Sequence, residues 1–259
     1  VALVAIALLG VGSAWAVHAS WSAGSGNGAL KVGVLGGPEA VVLDFLAERR
    51  PDLGLEVVRY PSAAKVREAL ASGAVLAASF ETQVEIAGES DRFESAGLTV
   101  TLPLAFYSRR LRSLAELGPE SKVVISTAPL AQGRALLLLF HYNLVGFDPE
   151  LGPAARLSDV KRNPRGIQLV AVDDAALAGE LDRADLVALE YAPAAKLGLS
   201  PARRGLAMED GFSPFAQVLS VRRGEADHPE IAKLLSAYRS AEIKTFILER
   251  FQDSVRRPW

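Results

Sequence analysis

The sequence predicts an α/β protein of two lobes, each built on a mostly parallel sheet with helices on both faces. Three observations carry that reading. Short apolar strands alternate with segments of helical spacing from about residue 30 onward. The alternation runs as two series joined around residue 109. The chain has 259 residues, half of them hydrophobic, which is enough for a sizeable core.

Leu30–Leu35 (LKVGVL) reads as a strand closed by Gly36-Gly37-Pro38. Glu39–Arg50 has helical spacing, with Arg49 and Arg50 in the last turn where the helix dipole favours cations. Leu55–Tyr60 is a strand, Ala63–Ser72 a helix stopped by Gly73, and Val75–Phe80 a small apolar run suited to a strand buried on both faces. Leu98–Ser108 reads as one long strand whose Pro103 must sit at an edge or bulge. The second series holds strands at Lys122–Ser126, Ile167–Val172 and Asp185–Glu190, and helices at Ala131–Leu144 and Asp174–Leu181. Gly205–Glu209 is a further short strand candidate. Ala216–Arg222 reads as the last strand, followed by amphipathic helices at Pro229–Arg239 and Ala241–Phe251.

Residues 1–17, VALVAIALLGVGSAWAV, carry no charge, and the first formal charge is Lys31. Such a run fits the apolar region of a secretory signal, with Ala14-Trp15-Ala16 or Val17-His18-Ala19 as its cleavage site. It also reaches the lower limit of a membrane span, about 20 residues. The basic leader region is missing and the only Met is Met208, so the start reads as truncated. Ser20–Ala29, SWSAGSGNGA, is a flexible Gly/Ser spacer, which argues against a buried core helix before it. Residues 1–19 are therefore expected to be a signal peptide or an N-terminal membrane anchor, 20–29 a linker, and the globular part exported.

Composition excludes several classes. Apolar content is high and the net charge is −2, so the chain is not disordered as a whole. A balance of 28 Lys+Arg against 30 Asp+Glu leaves no basic footprint for nucleic acid. With zero Cys there is no disulfide framework, thiol nucleophile or acylated cysteine in this sequence. His18, His141 and His228 lack metal-ligand spacing, and no nucleophile elbow, phosphate loop or dinucleotide fingerprint is present. No cofactor is expected. Glu81 and Glu85, four apart, fit either a solvated helix face or a carboxylate acid/base pair.

Ligands in open α/β sheets sit outside the carboxyl ends of the strands. That rule selects Gly36–Glu39, Phe80–Glu85, Ser126–Arg134 and Glu190–Tyr191. Arg134 stands out among them. A cation near a helix N-terminus opposes the macrodipole unless an anion joins it. Its guanidinium fork could grip a ligand carboxylate bidentately, or it could pair with an Asp or Glu of the chain itself.

The segment Gly133-Arg134-Ala135-Leu136-Leu137-Leu138-Leu139, after Val124-Ile125 and Pro129, resembles the GRALLLL segment of the NlpA family, the methionine-binding lipoproteins of ABC importers. Leu30–Val34 with Gly37-Pro38, Glu68–Gly73, Tyr107-Ser108 before Ser113-Leu114, and Glu209-Asp210 before Ser213-Pro214-Phe215 agree in order and spacing. The resemblance covers about Leu30 to Trp259. It implies a two-lobed periplasmic binding protein fold (type II-like), with two interlobe crossovers and a cleft between the lobes. One lobe would be 30–108 plus 212–259, the other 109–211.

The resemblance also implies site residues. The GRAL arginine that holds the ligand's α-carboxylate falls on Arg134. The family's F-F-Q-H-x-P-Y stretch falls on Ser79–Glu85: Phe80 is kept, the histidine becomes Thr82 and the tyrosine becomes Glu85. A tyrosine in the preceding helix falls on Ala63, one asparagine on Glu190 and another on Gln217. Two aromatic walls suited to a thioether are thus lost, and carboxylates are gained at Glu85 and Glu190, with Glu81 and Glu39 near them. A larger or more cationic ligand than methionine is expected, with Arg134 still holding its acid group, unless these glutamates point to water.

The reading that follows is an extracytoplasmic substrate-binding component of an ABC importer, not an enzyme. It would bind an amino-acid-like solute and meet a permease and its ATPase. It would be free in the periplasm, or held at the membrane by an uncleaved N-terminal segment, since the family's lipoprotein cysteine has no counterpart here. Competing readings are a surface or assembly protein of the same fold and an enzyme using Glu81, Glu85 or Glu190.

Overall fold

The computed structural model describes residues 29–259. The expected signal or anchor segment, and the spacer up to residue 28, lie outside the described residues. The chain forms β1 (Leu30–Val34), α1 (Pro38–Arg49), β2 (Leu55–Arg59), α2 (Ala63–Ser72), β3 (Ala77–Thr82), α3 (Gln83–Ala87) and β4 (Phe93–Leu98). It then crosses to a second sheet and forms β5 (Ala105–Tyr107), β6 (Lys122–Ser126), α4 (Pro129–His141), β7 (Gln168–Val172), α5 (Asp174–Glu180), β8 (Leu186–Leu189), α6 (Tyr191–Lys196), α7 (Pro201–Arg204) and β9 (Ala207–Met208). It returns to the first sheet as β10 (Gln217–Arg222) and finishes with α8 (Pro229–Tyr238) and α9 (Ala241–Phe251).

The sheet orders are β2-β1-β3-β10-β4 and β7-β6-β8-β5-β9. Each sheet is mixed rather than mostly parallel. β10 runs antiparallel to β3 and β4, and β5 antiparallel to β8 and β9. The reason is the route of the chain. Both crossovers leave and enter at the carboxyl ends of the parallel strands, so a strand arriving there must run the opposite way. β1 lies between β2 and β3, parallel to both, with Val32 opposite Val57 on one side and Ala77 on the other. It begins at Leu30, at the end of the sheet away from the crevice between the lobes, and its far end delivers Leu35 and Gly36 to that crevice.

Helices cover both faces of each sheet, as the uninterrupted apolar strands require. In the first lobe Val32, Val34, Leu43, Leu46, Leu219, Ile231 and Ile247 pack on one face, and Val66, Leu70, Ala78 and Val218 on the other. In the second lobe β6 alternates: Val123 and Ile125 meet Leu136 and Leu139 of α4, while Val124 meets Leu177 and Val187. Among the described residues no helix is long and apolar enough to cross a membrane.

Of the single strand expected over Leu98–Ser108 only β5 is a strand: β4 ends at Leu98, and 99–104 form the first crossover, which therefore lies before Ala105 rather than after Ser108. Pro103 has no N–H to give a ladder. The segment around it pairs with the second crossover instead. Gln217 N–H donates to the Val100 carbonyl at 2.7 Å, Glu209 N–H to the Leu104 carbonyl at 3.0 Å, and Thr101 Oγ1–H to the Gly211 carbonyl at 2.6 Å. The last residues strap this pair: Thr101 and Arg256 exchange backbone hydrogen bonds, and Trp259 Nε1–H donates to the Thr99 carbonyl at 2.6 Å. β4 and α3 have no counterpart in the sequence reading. β4 (FESAGL) is short of apolar residues and α3 spans only five residues.

Gly133 has a steric cause. A Cβ built there would lie 2.0 Å from the Pro153 carbonyl oxygen, because the turn at Pro149–Ala154 packs directly on α4. Helix propensity alone would favour Ala over Gly by about 1 kcal/mol. Gly133→Ala is nonetheless expected to destabilise the chain by about 1–3 kcal/mol, since rigid backbone must move. Urea unfolding checks the sign.

Candidate functional site

A cavity of about 550 Å³ opens between the lobes at the carboxyl ends of the parallel strands. The first lobe lines it with Gly36, Glu39, Phe80, Thr82, Glu85 and Gln217, the second with Leu130, Arg134, Glu190 and Tyr191, and the crossovers with Leu102 and Phe215. Of the residues read from sequence as binding positions, Phe80, Thr82, Glu85, Arg134, Glu190 and Gln217 are thus brought together. Ala63 is not. It opens α2 behind the capping Ser62 and is not among the residues that line the cavity. A second cavity of about 590 Å³ touches the other side of Arg134. It is lined by Leu137, Leu138, Tyr142 and Pro214 and receives none of the strand ends that open toward the crevice, apart from the β9 segment.

Arg134 is buried, and its partners come from the chain itself. Nε–H donates to Glu209 Oε1 at 3.0 Å and Nη2–H to Glu209 Oε2 at 2.6 Å, a bidentate pair. Nη1–H donates to Glu190 Oε1 at 2.7 Å, and Nη2–H also to the Leu102 carbonyl at 3.0 Å. The Phe215 ring lies below the guanidinium at 4.9 Å. Burial disfavours the charge, but Glu209 and Glu190 together more than reverse that, so Arg134 stays protonated. Of the two roles the sequence leaves open for Arg134, pairing within the chain is the one seen here, with Glu209 and Glu190 on its fork. Glu209 also accepts the Leu104 N–H at 2.8 Å, which ties α4 to both crossovers. Only its place within the family-like Glu209-Asp210 segment could have drawn attention to Glu209 in the sequence.

The other carboxylates differ in role. Glu85 closes a capping box on α3: Thr82 N–H and Oγ1–H both donate to Glu85 Oε2 at 2.8 Å, and Glu85 N–H donates to Thr82 Oγ1. Glu81 is buried away from the cavity, where Arg67 Nε–H donates to it at 2.7 Å. Burial pushes the Glu81 carboxyl above its ordinary range despite Arg67. Glu190 keeps 43 % of its side chain exposed to the crevice. Burial raises its pKa, Arg134 opposes this, and Asp174, Glu209 and Glu85 add repulsion.

Glu39 is the carboxylate that sequence placed least firmly. It sits in the first turn of α1, 4 % exposed, behind Gly37 at φ 97°, a backbone conformation that favours glycine. Its Oε2 is buried without a hydrogen-bond partner. Burial pushes its pKa up to about 7, opposed only in part by its own backbone N–H. Gln217 Oε1, on the same cavity, is likewise buried and unpartnered. Among the described residues no group of three or more His, Asp or Glu is placed to hold a metal ion.

The model of the family described as NlpA lipoprotein matches residues 30–259. The chain belongs to the NlpA lipoprotein family. It is 29 % identical over 239 residues to the D-methionine-binding lipoprotein MetQ of Yersinia pestis, covering 89 % of this chain and 88 % of that one. Among solved structures, it resembles a nutrient-binding protein from Burkholderia cenocepacia bound to methionine, with a TM-score of 0.74 and 29 % identity over 89 % of this chain and all of that one. It also resembles an ABC transporter periplasmic substrate-binding protein from Coxiella burnetii, with a TM-score of 0.73 and 29 % identity over 88 % and 99 % of the two chains. The NlpA family is one of extracytoplasmic, non-enzymatic substrate-binding lipoproteins, and the α/β architecture with two mixed sheets is that of its MetQ-type structures.

The buried charges at Arg134 and Glu39 have measurable consequences. Arg134→Ala leaves Glu209 buried and unpaired and is expected to cost about 3–5 kcal/mol, whereas pairing Arg134→Met with Glu209→Gln recovers most of that in urea unfolding. For Glu39, between about pH 4.5 and 7 the folded chain keeps a proton that the unfolded chain has released, so this group's contribution falls as pH rises through that window and is flat above it. Tyr191 and Tyr238, the ionisable groups coupled to Glu39, have pKa values raised above the ordinary phenol range and stay neutral throughout. Glu39→Gln is therefore expected to match the wild type at pH 4 and to exceed it by on the order of 3 kcal/mol at pH 8.

Proposed function

We propose that the chain is the substrate-binding component of an ABC importer, taking a small amino-acid-like solute into the interlobe crevice and passing it to a permease and its ATPase. The observation that carries this reading is the convergence of Phe80, Thr82, Glu85, Arg134, Glu190 and Gln217, from both lobes, on one cavity. The lobes we assign are 30–98 with 217–259, and 105–208. Closure would be a hinge motion in which the paired crossovers absorb the change in dihedral angles. Methionine is bound by the Burkholderia relative, and the Coxiella relative is described as an ABC transporter component; both support this assignment.

An enzyme built on the carboxylates is disfavoured by their commitments. Glu81 is held by Arg67, Glu190 pairs with Arg134, and Glu85 caps α3. A surface or assembly protein of this fold differs in having no small-molecule ligand. Gentle purification followed by native mass spectrometry is expected to reveal a co-purifying small molecule. That compound, at 100 times its Kd, should add about 2.7 kcal/mol and raise Tm by roughly 5–10 °C. Absence of both a bound compound and any thermal shift with L- or D-methionine, lysine, arginine and short peptides would favour the assembly reading.

A further inference from the structure

We propose, resting on the receptor reading above, that the crevice selects an amine bearing no free carboxylate: an amino-acid-derived cation whose acid group is absent or capped. The cavity already contains the acid that its arginine needs. Every nitrogen of the Arg134 guanidinium donates within the chain, two of them to Glu209 and one to Glu190. Glu190 reaches it from the crevice side and stands where a solute carboxylate would have to stand. A solute with a free acid group must eject Glu190 and then share the cavity with it.

The remaining charges make that exchange unfavourable. The ionisable side chains lining the cavity, tyrosine aside, are Glu39, Glu85, Glu190 and Arg134. Arg134 is outnumbered by Glu190 and Glu209 before Glu39 and Glu85 are considered. An added carboxylate meets like charge on both lobes, while an ammonium group meets opposite charge on both.

Two unsatisfied polar atoms agree, and the one on Gln217 is independent of the charge balance. Glu39 Oε2 and Gln217 Oε1 are buried acceptors without donors, on residues 4 % and 7 % exposed that line this cavity. Both oxygens are closed off from the cavity in this conformation; leaving them unpaired is costly, and a rearrangement that turns them toward a solute rich in N–H donors would relieve the cost. Tyr191 adds an aromatic wall compatible with a cation. An ammonium has three donors and no acceptor, which matches a site offering acceptors.

The test compares solutes that differ only in the acid group. Isothermal titration of the full chain with L-methioninamide and L-methionine, and with 1,5-diaminopentane as an acid-free amine, is expected to give at least tenfold tighter binding for the amide than for the free acid, with the diamine also bound. Glu190→Gln frees the guanidinium and removes a carboxylate. It is expected to reverse the preference, tightening L-methionine and weakening the amide by tenfold or more. Glu39→Gln is expected to weaken both amines tenfold without gaining the free acid. L-methionine binding the wild type as tightly as its amide would overturn the proposal while leaving the receptor reading intact. Failure of both amines to bind would also overturn it, and the native mass spectrum then decides separately whether the receptor reading survives.

Discussion

The pairing of Arg134 with Glu209 is the contact on which the geometry of the crevice depends. A guanidinium this deeply buried is tolerable only with a carboxylate in bidentate reach, and Glu209 in turn is held by the Leu104 N–H of the opposite crossover. One ion pair thus fixes α4 against both chain crossings and sets where the second lobe's side chains meet the first. Phe215 beneath the charge and the Leu102 carbonyl beside it complete the setting.

Much of this was legible in the sequence. The strands at Leu30–Val34 and Lys122–Ser126 and the helices at Ala63–Ser72 and Ala241–Phe251 lie where apolar spacing and punctuation by Gly and Ser put them, because local chemistry and tertiary packing agree there. The rule that ligands sit at strand carboxyl ends pointed to most of the cavity wall. Long-range partnership was not legible. Nothing local distinguishes an arginine awaiting a solute from one satisfied by Glu209, 75 residues away. That residues 99–104 are a crossover escaped for the same reason, since their hydrogen-bond partners are in the other crossover, at the start of β10 and in the last residues of the chain.

The two walls of the crevice contribute unlike chemistry. The second lobe brings a neutralised arginine and the exposed half of Glu190; the first brings acceptors that nothing in the chain satisfies, on α1 and β10. Glu39 and Gln217 are costly as they stand, and such cost is common where a protein keeps a site ready for something else. The cavity wall is correspondingly acidic, with Glu39, Glu85 and Glu190 all lining it.

The placement of β1 has a mechanical consequence. A pull applied at Leu30 acts along the axis of a strand with parallel neighbours on both sides. It therefore strains two rows of slanted hydrogen bonds sideways and together, rather than peeling them apart one at a time. The force enters at the end of the sheet away from the crevice and is resisted within the first lobe, by β2 and β3.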